Sequence, residues 1–378
     1  MKTILKILGG LLAALVLLVG AVVAWALSTE YSPAPEVAVD VDCSGITGQI
    51  VAGEPFTLLS WNLQYGASRK YHFFYDGGDA VKVDDADVHA TVDAIAALLK
   101  KEAPSIALLQ EIDRGSDRTH RIDEFPPLVA AMAARCSATA PYHRSPFVPS
   151  PTTDPLGRVD MELGLLSRVP MSNAVRHQLP LLAEPRYRQI FNLKRALLTA
   201  ELQVDGLDQP LAIAVTHLSA FSHGDGTLAR QVDALDKWIA ARPAGQAWIL
   251  SGDMNMLPPG DDRTRLTAES ELYADADNPV EKLFARYGEI FGDTQLDPAH
   301  RTYMPFGAPE PDRKIDYVFY GGPVHVLDAS VLRDPIQVSD HLPVIARLIV
   351  GDLPPQPEPA PDEAAPGDET PGAIKGSE

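Results

Sequence analysis

A carboxylate and an amide follow a short apolar run near residue 250. The run from Ala247 to Leu250 is typical of a buried strand, and Gly252 then lets the backbone turn sharply. Asp253 and Asn255 follow at a spacing of two, so in extended backbone their side chains lie on the same side. Such a pair suits a hard cation or an attacking water, although the same residues after glycine also occur in ordinary turns.

Polar side chains also mark the ends of other predicted strands. Asn62 lies at the end of the apolar segment 56–63, and Glu111 follows the apolar segment 106–109. A carboxylate at the tip of an apolar strand is costly unless it is solvated, paired or bound to metal. By itself Glu111 would only mark the point where its strand reaches solvent. Because Asn62 and Asp253 also lie at strand ends, a site shared by the three is favoured. The further candidates at such positions are His217, Asp316, Asp340 and His341.

The whole set predicts one metal-dependent site. Active sites of α/β proteins gather where strand ends meet loops, so we expect these side chains to converge. Hard oxygen ligands with few nitrogens and no sulfur favour Mg²⁺ or Mn²⁺ over zinc. Such a metal would stabilise a phosphoryl oxygen and lower the pKa of a bound water. A lone histidine after a strand is more often structural than catalytic, so only the set as a whole indicates chemistry.

Four cations fall close together in this acidic chain, at Arg186, Arg188, Lys194 and Arg195. They form either a solvated loop or a patch that faces phosphate. Arg195 is the best candidate for binding a substrate phosphate, because it directly precedes a predicted strand.

The apolar pattern of the chain predicts a mixed α/β sandwich. Buried strands alternate with helices in the first half and follow one another closely later, which favours a sandwich over a purely doubly wound sheet. Strands are predicted over 56–63, 106–109, 163–166, 175–180, 196–202, 211–215, 247–250, 313–319, 324–332 and 344–350. Helices are predicted over 89–101, 124–136, 226–241 and 280–287, and a loop over 145–155.

Charge and cysteine content limit the possible functions. The chain has 378 residues and a formal net charge of -19 at pH 7, so any basic face for gripping long polynucleotides must be local. This balance favours small phosphorylated substrates over duplex DNA, although bound divalent metal would offset part of it. Two cysteines exclude a disulfide scaffold and a cysteine-rich zinc site. Cys43 and Cys136 can pair outside the cytoplasm only if they meet in space, which the sequence does not determine.

The N-terminus carries an apolar run from Ile7 to Leu27, long enough for a bilayer that needs about 20 residues. A cleaved signal peptide is the alternative, because Ala24-Trp25-Ala26 loosely fits a cleavage site. We favour an uncleaved anchor, since the run exceeds a typical signal core. Lys2 and Lys6 precede the run and the next cation is Arg69, so the positive-inside rule places the N-terminus in the cytoplasm.

The resulting organisation has four parts. Residues 1–27 form the membrane anchor, 28–55 an extracytoplasmic tether or an edge excursion of the domain, and 56–350 the catalytic domain. Residues 351–378 are rich in proline and acids and form a disordered tail. The expected location is the cell membrane, the inner one in a Gram-negative cell, with the domain periplasmic. A cleaved N-terminus would make the protein secreted.

Six short motifs occur in order between Phe56 and Val350: Ser60-Trp61-Asn62, Leu109-Gln110-Glu111, Thr216-His217-Leu218, Gly252-Asp253-Met254-Asn255, Ile315-Asp316-Tyr317 and Ser339-Asp340-His341. Their types, order and spacing resemble the endonuclease/exonuclease/phosphatase superfamily. That superfamily includes DNase I, apurinic endonucleases, neutral sphingomyelinases and inositol-polyphosphate 5-phosphatases. One motif alone would be weak evidence, but six in order are hard to explain by coincidence. The resemblance implies the DNase I-like four-layer α/β sandwich, two facing mixed β-sheets with helices on the outer faces.

The resemblance also implies roles for the metal-side residues. Glu111 would be the main ligand of Mg²⁺ or Mn²⁺, helped by Asn62 and Asp340. Asp253 would orient or deprotonate the attacking water. Asn255 would hold the phosphate, and a second metal if two are used.

Two histidines complete the implied mechanism. His341 would contact the scissile phosphate or act as general base, with Asp316 fixing its tautomer. His217 would stabilise or protonate the leaving side. The implied chemistry is in-line attack of water on phosphorus.

Three functions follow from this sequence. The first is a membrane-anchored phosphodiesterase acting on phospholipid head groups or other extracytoplasmic diesters, with no obligate protein partner implied. The second is an extracytoplasmic nuclease, which predicts a cationic groove over 186–195. The third is a catalytically silent metal-binding surface module, which the presence of Asp253 and His341 disfavours.

Overall fold

The computed structural model describes residues 1–44, 48–220, 222, 224–266, 268–273, 278–334 and 337–353, so the predicted tail lies almost wholly outside the described residues. The helices are α1 (Lys2–Thr29), α2 (Asp85–Glu102), α3 (Phe125–Met132), α4 (Arg186–Gln189), α5 (Thr227–Ala240) and α6 (Glu281–Phe284). The strands are β1 (Glu36–Ala38), β2 (Asp42–Cys43), β3 (Ile50–Val51), β4 (Pro55–Asn62), β5 (Ile106–Asp113), β6 (Cys136–Val148), β7 (Gly157–Ser167), β8 (Met171–Gln178), β9 (Ala196–Leu202), β10 (Val204–Asp205), β11 (Leu211–His217), β12 (Trp248–Asp253), β13 (Gly288–Glu289), β14 (Asp316–Gly321), β15 (Val324–Val331) and β16 (Val344–Val350).

Two mixed seven-stranded sheets form the centre of the domain. The first sheet has the order β15-β16-β4-β5-β7-β6-β2 and the second β1-β8-β9-β11-β12-β14-β13. Alternation along β12 explains the layering, because Ile249 packs in the core between the sheets and Leu250 packs beneath α5. Val92 and Leu99 of α2 belong to the same contiguous buried cluster as the apolar residues of the first sheet. The predicted α/β sandwich is therefore confirmed.

The strand β6 was not predicted from the sequence. The expected helix over 124–136 ends at Met132, where Ala133 adopts a left-handed conformation and caps it. The next residues, from Cys136 to Val148, pair along almost the whole of β7. Small and polar residues in this stretch hide the apolar alternation that marks a half-buried strand. The predicted loop over 145–155 is accordingly wrong for its first residues.

The segment after α1 joins both sheets at their edges. β1 pairs with β8 of the second sheet, and β2 pairs with β6 of the first. A disulfide between Cys43 and Cys136 links β2 covalently to β6. Residues 36–43 thus form edge strands of the domain, one of the two alternatives that the sequence left open.

The helix α1 is exposed along its length, with Ala26 as its one buried residue. Among the described residues it is the one helix long and apolar enough to cross a membrane, with a mean hydropathy of 2.8 in its most apolar window. A signal sequence near the N-terminus passes the same test, so the helix agrees with either interpretation.

Candidate active site

Five of the predicted side chains meet because strand ends from both sheets lie together. Asn62 ends β4 and Glu111 lies near the end of β5, which runs parallel to β4 in the first sheet. His217 ends β11 and Asp253 ends the parallel strand β12 in the second sheet. Asp316 begins β14, which runs antiparallel to β12 and places Asp316 directly opposite Asp253. The expected convergence is therefore present.

A bulge in β5 directs Glu111 into this cluster. The register of β5 against β7 shifts between Leu109 and Ile112, and Glu111 has a positive φ of 57°. Such a bulge re-aims a side chain that regular alternation would direct elsewhere. The Glu111 carboxylate then lies 3.3 Å from Asn62 Nδ2 and 3.5 Å from His217 Nδ1.

Glycine at position 252 lets β11 and β12 approach closely below the site. Gly252 has a φ of 147°, and a Cβ there would lie 1.9 Å from the carbonyl oxygen of Thr216. No other residue fits without moving backbone. This close pairing places His217 directly beside Asp253 in the register of the two strands, with His217 Nε2 3.3 Å from Asp253 Oδ2.

His341 is held between two carboxylates. Its Nδ1 lies 2.8 Å from Asp316 Oδ2, and its Nε2 lies 3.6 Å from Asp253 Oδ2. Burial disfavours the imidazolium, but Asp316 and Asp253 outweigh burial and raise the pKa of His341 well above its usual value. The two carboxylates thus favour the protonated form of His341 in the metal-free site, and its Nε2 points towards Asp253.

Asp253 is a buried carboxyl group with a raised pKa. Its side chain is 3% exposed, and burial, reinforced by Asp316 and Glu111, raises its pKa to about 7. His341 opposes this rise. A carboxylate with a pKa near the working pH exchanges protons most effectively.

His217 is neutral, in contrast to His341. Burial and the nearby Arg195 lower its pKa well below its usual value. Its Nδ1 lies 3.3 Å from the hydroxyl of Tyr142, a fully buried residue of β6. Which of the two atoms donates depends on the tautomer of His217. Tyr142 was missed by sequence reasoning, because β6 itself was not predicted.

Asn62 connects the carboxylates. Its Nδ2 donates to Glu111 and, at 3.2 Å, to Asp253, while its Oδ1 accepts from the backbone N–H of Gln64. In this orientation Asn62 positions the two carboxylates. Its predicted role as an oxygen ligand of the metal requires the amide to rotate, and it stays a prediction.

The turn that carries Asp340 and His341 is fixed to β4. Ser339 Oγ donates to the Asn62 carbonyl at 2.8 Å, and Trp61 Nε1 donates to the His341 carbonyl at 2.9 Å. Gln64 Oε1 accepts from the Asp340 N–H. Ser339 and Trp61 lie inside motifs that the sequence singled out, but neither was assigned a role.

Asn255 lies at the rim of the cluster. It adopts a left-handed conformation, its N–H donates to Asp253 Oδ1 at 2.9 Å, and its Nδ2 donates to the Leu218 carbonyl. These contacts orient Asp253. The phosphate-binding role of Asn255 stays a prediction.

Arg195 is a buried cation facing the same cluster. It is 9% exposed, its guanidinium lies 5.4 Å from the Tyr142 ring, and its Nη1 has no hydrogen-bond partner among the described residues. Burial lowers the pKa of Arg195, and the nearby carboxylates of Glu111 and Asp253 oppose this shift only in part. An incompletely paired cation beside these acids is a suitable donor to a phosphate oxygen.

A sequence model of the endonuclease/exonuclease/phosphatase family matches residues 59–341, which include every side chain described above. The chain belongs to this family. Enzymes of the family hydrolyse phosphoester bonds and use divalent metals. No match was found among curated proteins.

Solved structures agree with the family. The chain is similar to an endonuclease/exonuclease/phosphatase from Beutenbergia cavernae DSM 12333, with 25% identity and a TM-score of 0.55, covering 79% of this chain and 72% of that one. It is 18% identical to the human Nocturnin catalytic domain with a bound sulfate anion, with a TM-score of 0.50, covering 82% of this chain and 97% of that one. It is 14% identical to an endonuclease/exonuclease/phosphatase from Bacteroides vulgatus, with a TM-score of 0.52, covering 79% of this chain and 99% of that one. The last two share the fold.

The strand-end residues fit the divalent metal of this family. One ligand atom each of Asp253, Asp316 and His341 lies within 4.8 Å of the others, and Asp316 Oδ1 is buried without a hydrogen-bond partner among the described residues. Burial, with Glu111 and Asp253 nearby, raises the pKa of Asp340 to about 7. A cation would relieve this crowding of carboxylates. Oxygen donors without sulfur suit Mg²⁺ or Mn²⁺. The predicted ligands Glu111 and Asp340 border this group.

Proposed function

We propose that this protein is a membrane-anchored, divalent-metal-dependent phosphodiesterase that acts outside the cytoplasm on phospholipid head groups or related diesters. The observation that carries the proposal is the meeting of Glu111, Asp253, His217 and His341 at one edge of both sheets. Family membership supports hydrolysis of a phosphoester bond. The diester, the compartment and the identity of the metal are the parts that this proposal adds.

The side chains divide the reaction between them. Asp253 orients an attacking water and accepts its proton, consistent with a pKa raised to about 7. His341, protonated and held by Asp316, donates from Nε2 to a phosphate oxygen. Neutral His217 donates a hydrogen bond on the leaving side. Glu111, Asn62 and Asp340 would hold the metal, which when bound neutralises charge on the phosphate and acidifies water.

Arg195 adds a second cation for the substrate. Its Nη1, which has no hydrogen-bond partner in the described part of the chain, lies in a buried environment, where a charge-assisted hydrogen bond is stronger than at the surface. Arg195 and His341 are thereby placed as two donors to the oxygens of a phosphate group.

Three features support a location outside the cytoplasm. The helix α1 has the length and hydropathy of a membrane span, and Lys2 and Lys6 lie before its apolar run. The disulfide between Cys43 and Cys136 is characteristic of an oxidising compartment. Together they favour an N-terminus in the cytoplasm and a domain on the other side.

The nuclease alternative depends on a cationic groove over 186–195, and the contacts of this segment weaken it. Arg186 and Lys194 both pair with the carboxylate of Glu30. Arg195 faces the active site, which leaves Arg188 as the one cation of the four for a polynucleotide. The silent-module alternative is also weakened, because the predicted catalytic side chains contact one another.

A hydrolysis panel tests the proposal. The purified full-length chain in detergent is assayed with Mg²⁺, Mn²⁺ or EDTA against bis-p-nitrophenyl phosphate, phospholipids, plasmid DNA and RNA. We expect metal-dependent turnover of the generic diester and of a phospholipid, which His341→Ala abolishes. Metal-dependent cleavage of DNA or RNA without phospholipid turnover would favour the nuclease. Tight metal binding without any turnover would favour the silent module.

A further inference from the structure

The chain is fixed to the catalytic domain from the first residue after α1. Glu30 accepts from Arg186 Nη1 at 2.5 Å and from Lys194 Nζ at 3.3 Å. The side chains of Glu30 and Lys194 are 6% and 5% exposed, so this ion pair is buried. A buried carboxylate that accepts hydrogen bonds from two cations restricts the end of the helix far more than an exposed ion pair does.

Tyr31 continues this attachment. Its ring lies 5.6 Å from the guanidinium of Arg144 and 5.5 Å from that of Arg176, and its hydroxyl donates to the Pro141 carbonyl at 3.5 Å. β1 begins five residues later and pairs with β8. No flexible linker therefore separates α1 from the domain along residues 30–38, all of which the structure describes.

The position of Glu30 relative to a bilayer follows from α1. Trp25 is 43% exposed near the end of the apolar run, and tryptophan concentrates at the boundary between hydrocarbon and head groups. Glu30 comes five residues later, about 7.5 Å further along the helix axis. That distance places Glu30 among the head groups when α1 spans a membrane. Arg186, bonded to Glu30, must lie at the same level.

The segment 185–190, which we name the head-group loop, presents residues suited to that level. It contains the short helix α4, and Tyr187 is 64% exposed. Arg188 is also exposed and has no ion-pair partner among the described residues. Exposed aromatic and basic side chains together are typical of surfaces that contact lipid head groups.

We propose that the head-group loop docks on an anionic phospholipid surface, with Tyr187 entering the interface and Arg188 binding lipid phosphates. The inference rests on the retained anchor of the proposed function. A chain with a net charge of -19 is repelled by an anionic bilayer, so its contact requires a local cationic element such as this one. Arg195 follows the loop in sequence, and the docking would hold the active site next to the bilayer surface.

Fluorescence quenching by lipid tests this surface. The full-length variant Pro185→Cys is labelled with an environment-sensitive fluorophore and placed in nanodiscs that carry nitroxide-labelled head groups. The native cysteines form a disulfide and do not react with the label. Ala244→Cys is the matched control, because Ala244 is exposed and precedes β12 at the edge of the sheet opposite the active site.

In discs with phosphatidylglycerol we expect Pro185→Cys to be quenched strongly and Ala244→Cys weakly. The equilibrium constant for docking of the loop, obtained from the quenched and unquenched fractions, is larger in anionic than in neutral discs. Adding Arg188→Ala should reduce this ratio of docking constants about fivefold, the effect of one basic residue at a charged membrane. Adding Tyr187→Ser should reduce quenching in both kinds of disc. Equal quenching at positions 185 and 244, or an anionic preference unchanged by Arg188→Ala, would overturn the proposal.

Two measurements separate this inference from the proposed function. Turnover of bis-p-nitrophenyl phosphate in the same discs tests the catalytic chemistry without any lipid substrate, so a silent enzyme with a quenched loop would refute only the chemistry. Cell fractionation tests the anchor. A soluble chain that begins near Leu27 would refute both the anchor and the docking surface.

Discussion

Replacing Asp253 with asparagine separates the catalytic role of this carboxylate from its effect on stability. The side chain is 3% exposed and nearly isosteric with asparagine, and an amide oxygen can still accept from the Asn255 N–H. Asparagine cannot accept a proton from water. We therefore expect turnover to fall by about 10²–10⁴, the usual contribution of a positioned general base.

The effect on stability has the opposite sign. The rise in the pKa of Asp253 from 3.8 to about 7 corresponds to at most about 4 kcal/mol that folding loses when the carboxyl ionises. A carboxyl whose pKa is higher in the folded chain favours folding below the unfolded value, and this contribution is lost as the pH rises towards 7. The protonated His341 loses one of its two carboxylates in the variant, which reduces the gain.

Unfolding of the metal-free chain measures this balance. In EDTA we expect Asp253→Asn to be at least as stable as the parent at pH 8, with a smaller advantage at pH 5. Asp208→Asn, at an exposed position, is the matched control and should change neither stability nor turnover. A variant that loses more than about 1 kcal/mol at pH 8, or that keeps full turnover with Mg²⁺, would refute this assignment of Asp253.

Five other perturbations have defined outcomes. Metal removal by EDTA should abolish turnover and Mg²⁺ should restore it, whereas Glu111→Gln should raise the Mg²⁺ concentration needed for half-maximal turnover; an unchanged metal requirement would remove Glu111 from the ligand set. Tyr142→Phe should lower turnover about tenfold with little change in melting temperature, because it removes one hydrogen bond to His217; unchanged kinetics would show that Tyr142 only packs. Gly252→Ala should prevent folding or cost several kcal/mol, about the range of a severe backbone clash, as measured by denaturant titration. Reduction of the Cys43–Cys136 disulfide, which closes a separation of 93 residues, should lower the free energy of unfolding by about 2–4 kcal/mol, and a melting temperature unaffected by reductant would contradict this.

The convergence of Asn62, Glu111 and Asp253 could be predicted because each lies at the end of a locally recognisable strand. The apolar runs before Asn62, Glu111 and Asp253 predict buried strands without any tertiary information. Parallel pairing of neighbouring strands then brings the strand ends to one edge of each sheet. The strand β6 has no such signal. Its first six residues, Cys136 to Pro141, are small or polar, and pairing with β7 is what makes the segment extended. The contact of Tyr142 with His217 depended on that strand and could not be predicted.

The cationic cluster shows a second limit of local patterns. Arg186, Arg188, Lys194 and Arg195 are close in sequence and suggested either a solvated loop or one phosphate-facing patch. In the fold these cations have different partners. Arg186 and Lys194 pair with Glu30, which lies more than 150 residues earlier in the chain, whereas Arg195 faces the acids of the active site. Charge partners at such separations depend on tertiary structure, which no window of sequence contains.

The crowding of acids at the site also explains why so much of the surrounding scaffold is fixed by hydrogen bonds. Asp253 repels both Asp316 and Asp340, so without constraint the turn that carries Asp340 could move away from the other carboxylates. Trp61 and Ser339 prevent this by bonding that turn to β4. Thr302 Oγ1 accepts from the N–H of Asp316 and so fixes the start of β14. The folded chain thus keeps an electrostatically unfavourable arrangement in place, as the proposed binding of a cation and a phosphodiester would require.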